Sequence, residues 1–272
     1  MAPVPHNPSP MVEFTRAHER VQDRVFAGQS HLSEGGALTR PVEIYVPRSI
    51  NRDFDILIHF HGVANTAKHA VESVNRDLVL AVVNMGTGSS VYEEPFARPE
   101  VWAGLKAVIR ERVGTWRRMW LSGFSAGHGA LRAVLATGED EPDGVLVLDG
   151  LHTGYTPIGR PLAVGGVLEK GGMSPFIDYA KRAAVGERAM LITHSEVFPG
   201  TFASTTETAD ALLGELQIER RAVLEWGPLG MQQLSRVQVE RLSVMGYAGN
   251  SSPDHMDHLH GLSYFLDCLI KM

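Results

Sequence analysis

Gly123-Phe124-Ser125-Ala126-Gly127 places a serine two positions from a glycine on each side. A short apolar run, Met119-Trp120-Leu121, leads into it, and Leu131, Val134 and Leu135 fall on one face of a helical segment beyond it. A strand that turns sharply into a helix presents the serine hydroxyl at the turn and holds its backbone under strain. The flanking glycines remove side chains that would collide with the neighbouring strand and helix. The helix N-terminus then aims backbone N–H groups at any negative charge forming beside Ser125. Together these make a nucleophile turn. The pattern alone is weak, because the chain has 28 glycines and glycine-rich turns are common punctuation.

A serine hydroxyl becomes a useful nucleophile only with a base beside it and an acid behind the base. The richest histidine segment is Ser252-Pro253-Asp254-His255-Met256-Asp257-His258-Leu259-His260-Gly261. Ser252 as N-cap and Pro253 as first helical residue put His255 in the first turn of a helix. His255 extends the apolar stripe Leu259, Leu262, Leu266, Leu269; His258 is the alternative, and His260 turns further from that stripe. Two carboxylates close apolar strands: Asp149, followed by Gly150, and Glu196, in Leu191-Ile192-Thr193-His194-Ser195-Glu196. Glu207 belongs to Ser204-x-x-Glu207, a capping box that structure explains. Metal sites on His59-x-His61, or on Asp254, His255, Asp257 and His258, are weaker readings. The first lacks further ligands where Val63 and Ala64 follow, and the second would leave Ser125 without a base.

The elements that must position these residues alternate along the chain. Residues 42–46 alternate as a half-exposed strand, and 54–60, 78–83, 144–149 and 189–193 are short apolar strands of a sheet covered on both faces. Helices are expected at 14–25, 64–74, near 177–184, from Ser204, and at 256–272. After Pro99, one stripe runs through Val101, Leu105, Val108, Ile109 and Val113. Residues 86–95 read as a loop and 242–247 as the last strand. This is an α/β pattern with a mostly parallel sheet, read as one domain over 1–272 with an N-terminal extension at 1–40. The alternation stops between 151 and 188, where the chain is either a lid over the sheet edge or a plain excursion.

These residues, in this order, resemble the α/β-hydrolase superfamily over roughly residues 42–272. The resemblance rests on His59-Phe60-His61-Gly62 two strands before the serine, on the Gly-x-Ser-x-Gly turn, and on a histidine segment before the last helix. It implies an eight-stranded, mostly parallel sheet and acyl transfer on Ser125, with His255 as base and Asp149 as acid. It also implies an oxyanion hole from the backbone N–H groups of Gly62, Val63 and Ala126. In this superfamily the acid more often follows the second strand after the serine's own, where this chain has Glu196 and no aspartate; the first, used in some lipases, ends here in Asp149. Glu196 and His258 therefore stay as alternatives.

The expected activity is hydrolysis of an acyl bond, a carboxylic ester first, through an acyl-enzyme. The alternatives are an acyltransferase or peptidase on the same residues, or a catalytically silent binding module. Neither a cofactor nor a metal is expected; the partner is a small-molecule acyl substrate. Net charge is −6, which favours neither nucleic acid nor an anionic membrane. No apolar run approaches a membrane span and Met1 to Pro10 has no apolar core of a signal peptide, so a soluble cytoplasmic protein is expected. Cys268, the only cysteine, sits among Leu266, Leu269 and Ile270 and reads as a core thiol.

Overall fold

The computed structural model describes residues 24–272 except Asn75 and Glu139. The helix expected at 14–25 lies outside them, apart from Arg24 and Val25, which are not helical. The described chain begins with the antiparallel pair β1 (Gln29–Ser33) and β2 (Val42–Val46). Next come β3 (Asp55–Phe60), α1 (Ala64–Ser73) and β4 (Leu78–Val83), followed by α2 (Ser90–Phe96), α3 (Pro99–Val113), β5 (Met119–Phe124), α4 (His128–Thr137) and β6 (Gly144–Leu148). An excursion carries the two-residue strands β7 (Tyr155–Thr156) and β8 (Val167–Leu168), which pair only with each other. The chain closes with α5 (Ser174–Ala183), β9 (Ala189–His194), α6 (Thr205–Leu216), β10 (Arg221–Trp226), β11 (Gln232–Val239), β12 (Leu242–Tyr247), α7 (Ser252–His260) and α8 (Leu262–Lys271).

Among the described residues the main sheet has ten strands, in the order β1-β2-β4-β3-β5-β6-β9-β12-β11-β10. The six from β4 to β12 run parallel, and the two at each end are antiparallel. Alternation along the central strands splits the core into two layers. Ile56, Ile58, Leu121, Val145 and Val147 face one layer with Trp102, Leu105, Leu131, Val134, Phe176 and Leu212 from α3 to α6. Leu57, Trp120, Leu146 and Leu148 face the other with Ala70, Val71, Leu262, Phe265, Leu266 and Leu269 from α1 and α8. Both faces are covered, so the central strands read as unbroken apolar runs.

Four expectations change. The sheet has ten strands, not eight, because β10 and β11 extend it beyond β12; β10 is an exposed edge strand, so no buried apolar run marks it. Residues 86–95 are not all loop: α2 forms from Ser90 because Tyr92 and Phe96 are buried. The closing helix breaks at Gly261, with φ −76° and ψ 2°, into α7 and α8. The N-cap of α7 is Ser251 rather than Ser252: the Ser251 hydroxyl accepts the Asp254 N–H, and the Asp254 carboxylate answers at the Ser251 N–H.

The join between β5 and α4 is tight. A Cβ on Gly127 would lie 2.2 Å from the carbonyl oxygen of Phe60, in β3, and backbone there cannot swing aside. Gly127→Ala should therefore lower unfolding free energy in urea by about 2 kcal/mol or more.

Candidate active site

The parallel strands end together at one edge of the sheet, and the chemistry-bearing residues sit there. Three adjacent strands, β3, β5 and β6, are each followed at once by a non-glycine residue in the left-handed region: His61 at φ 66°, Ser125 at 47° and Asp149 at 39°. Such backbone costs about 1–3 kcal/mol per residue and persists only where neighbours over-determine it. At Ser125 the Nδ1–H of His128 donates to the carbonyl oxygen at 2.8 Å, and Gly150 lies so close to its backbone that a Cβ there would stand 2.9 Å from its nitrogen. Ser125 and Asp149 are thus locked side by side.

Asp149 is 1% exposed. Its Oδ1 accepts the Ser195 N–H at 2.8 Å and the Thr205 hydroxyl at 2.5 Å; its Oδ2 accepts the Ser195 hydroxyl at 2.7 Å and His255 Nδ1 at 2.6 Å. Burial by itself raises this acid. The neighbouring His258 and His255 imidazoles and the hydrogen bonds from His255 and Thr205 outweigh it and hold the carboxyl well below the ordinary range. Donation from Nδ1 fixes the His255 tautomer and leaves Nε2 as an acceptor. The ring of His255 packs on Phe124, the residue before Ser125, at 4.6 Å between centroids, and His61 stacks near the same phenyl ring at 6.0 Å.

Asp149 thus pairs with His255, whose ring packs on the residue before Ser125, while the alternatives are engaged with other partners. His258 is fully buried, and its Nδ1 meets the Thr193 hydroxyl at 2.7 Å; its Nε2 is buried without a hydrogen-bond partner among the described residues. His260 lies in the last turn of α7. Glu196 is exposed and braces a loop, accepting the Gly249 N–H at 3.3 Å while its own N–H donates to Gly249 O at 2.9 Å. Glu207 completes its capping box and accepts the Tyr155 hydroxyl at 2.7 Å.

The expected oxyanion donors need one correction. The Gly62 N–H already donates to Asn84 Oδ1 at 3.0 Å, and Asn84 Nδ2 returns a bond to Gly62 O at 2.7 Å. Gly62 is therefore clamped, and Val63 and Ala126 remain as candidate donors. Sequence reasoning missed Asn84, Ser195 and Thr205; the polar Thr193-His194-Ser195 run directly after an apolar strand was the one signal that pointed toward Ser195.

Beside Ser125 and Ala126 opens a cavity of about 440 Å³, walled by His128, Arg132, His152, Glu169 and Phe202 among others. His152, Thr153, Gly154 and Glu169 of that wall come from the excursion at 151–188. Among the described residues no group of three or more His, Cys, Asp or Glu is arranged to hold a metal ion, and no helix is long and apolar enough to cross a membrane.

No protein-family model matches the chain, and no curated protein does. Among solved structures, TT1662 from Thermus thermophilus is 18% identical over 91% of this chain and 100% of its own, with a TM-score of 0.50. An inhibited esterase B from Lactobacillus rhamnosis is 8% identical over 96% of this chain and 92% of its own, with a TM-score of 0.51. At these identities the likeness is one of fold: the chain has the α/β-hydrolase fold, extended by β10 and β11.

Buried histidines around this edge contribute to the acid limit of the fold. Burial pushes His59, His128 and His194 down from 6.5 to about 3 each, so all are neutral at neutral pH. Between these values the unfolded chain binds protons that the fold refuses. Stability is thus full above about pH 6.5 and falls as pH drops toward about 3. Each such group contributes up to about 1.4 kcal/mol per pH unit, so urea unfolding at about pH 5 should show several kcal/mol less stability than at about pH 7. An unchanged unfolding free energy would contradict the neutral burial of these rings.

Proposed function

We propose that this chain is a serine hydrolase that cleaves an acyl bond, a carboxylic ester first, through an acyl-enzyme on Ser125. The observation that carries the reading is the 2.6 Å contact from His255 Nδ1 to buried Asp149, beside a serine held at φ 47°. In this reading His255 Nε2 takes the Ser125 proton as Oγ attacks the acyl carbonyl. Asp149 holds the imidazole in the tautomer that can accept and stabilises the imidazolium that forms. Four hydrogen bonds, which outweigh the cost of its burial, suit it to staying ionised throughout.

The carbonyl carbon becomes tetrahedral and its oxygen negative. The N–H groups of Ala126 and Val63 stabilise that oxyanion, each donor of this kind being worth about 3–4 kcal/mol of barrier. The alcohol leaves with the proton from His255, and water, deprotonated by the same ring, releases the acid and restores Ser125. The excursion at 151–188 acts here as a wall of the substrate cavity and not as a plain connection, since Thr153, Gly154 and Glu169 line it.

Ser125→Ala should abolish turnover of p-nitrophenyl esters and labelling by a fluorophosphonate probe; labelling that survives the substitution ends the proposal. Asp149→Asn reverses the tautomer preference of His255 and should lower kcat by roughly 10³–10⁴-fold in a protein whose circular dichroism is unchanged.

A further inference from the structure

Three side chains on the wall of the cavity beside Ser125, those of His128, His152 and Glu169, are hydrogen-bond acceptors. His128 gives its Nδ1–H to Ser125 O at 2.8 Å, and His152 gives its own to Ala203 O at 3.2 Å. A carbonyl can only accept, so in each neutral ring the proton sits on Nδ1 and Nε2 is a bare lone pair. Burial keeps both rings neutral, with His128 pushed down to about 3 and His152 to about 4. Neither ring has a further hydrogen bond among the described residues. Glu169 adds a carboxylate that has no ion pair among them.

The one cationic side chain on the wall is already engaged. Arg132 grips the Glu93 carboxylate through Nε and Nη2, and its Nη1 reaches His152 O at 3.5 Å. Apart from the nucleophile, the donors to spare there are the Ser89 hydroxyl and the second N–H on each terminal nitrogen of Arg132, whose charge is already paired with Glu93. Phe202, edge-on to His152 at 5.0 Å between centroids, gives the cavity a flat apolar side. A second cavity of about 650 Å³ shares Arg132 and Glu169, so a substrate longer than the first cavity has room to continue.

We propose that this cavity selects the hydroxyl-bearing part of the substrate: it takes a hydroxylated acyl or alcohol group and turns away one carrying a carboxylate. The inference rests on the reading of Ser125 as the nucleophile. A hydroxyl that enters donates to Nε2 of His152 or His128, while an alkyl group of the same size leaves those lone pairs dry and unpaired. A carboxylate meets lone pairs and the charge of Glu169. A cation would be drawn by Glu169 alone, since two uncharged imidazoles offer it no net charge.

Two ester series test this. One varies the acyl side as p-nitrophenyl butyrate, β-hydroxybutyrate and hemisuccinate. The other varies the alcohol side of butyrate as propyl, glyceryl, choline and glycolate esters. In at least one series the hydroxylated ester should exceed its plain partner by about tenfold in kcat/KM, with the carboxylate ester last. His152→Phe and His128→Phe together should erase that ratio and His152→Phe alone should lower it, and Glu169→Gln, at an exposed position, should raise the carboxylate ester toward the plain one. Equal kcat/KM for plain and hydroxylated esters in both series overturns the inference, as does a lead for the choline ester, which carries charge but no donor on nitrogen. Calorimetric binding of the same esters to Ser125→Ala separates the two readings. Turnover without preference removes this inference and leaves the hydrolase. Preferential binding without any wild-type turnover removes the hydrolase and leaves the cavity's selectivity.

Discussion

A carboxylate with 1% exposure has no water to solvate its charge, so the protein must supply every partner or neutralise it. Asp149 is solvated by the Ser195 N–H and hydroxyl after β9, by the Thr205 hydroxyl at the start of α6, and by His255 in α7. These donors lie 46, 56 and 106 residues further along the chain. Only the completed sheet, with β9 beside β6 and the closing helices across its edge, assembles them. The same constraint fixes the ring: with Nδ1 of His255 committed to Asp149, Nε2 is left as the acceptor nitrogen.

The strained backbone at this edge depends on similar support. His61, Ser125 and Asp149 all sit in left-handed conformations just past buried strands. Each is braced by its surroundings: Asn84 clamps the residue after His61, His128 holds the carbonyl of Ser125, and the Asp149 N–H donates to Thr193 O at 3.0 Å. A rigid parallel sheet below and these clamps above make the unfavourable φ values cheaper to keep than to relax. Strain is therefore concentrated where three strand ends point their next side chains at a common space.

How much of this was legible in the residues follows from the physics of each feature. The central strands were legible because burial on both faces demands apolar runs, and the serine turn because its glycines and flanking elements are local. Asp149 was favoured over Glu196 for the same local reason, a short carboxylate ending a buried strand with glycine after it. His255 and His258 were harder. Three residues apart on a helix, they point only about 60° from one another, so packing decides between them. The edge strand β10 left no trace because Leu224 and Trp226 are each 75% exposed. The Gly62 N–H could not be assigned from sequence at all: where a backbone donor points depends on what Asn84, 22 residues away, does with its amide.

The histidines around Asp149 differ in what burial does to them. Of those near Asp149, His152, His194 and His258 are all pushed below the ordinary histidine value, by burial first. Were any of them protonated at neutral pH, it would share the negative charge of Asp149 with the ring that donates to it. His255, alone among these four, already donates to the carboxylate itself while a quarter of its side chain remains exposed. Burial thus acts as the selector. It silences the surrounding rings and leaves the one carboxylate to the one ring packed on Phe124, next to the serine.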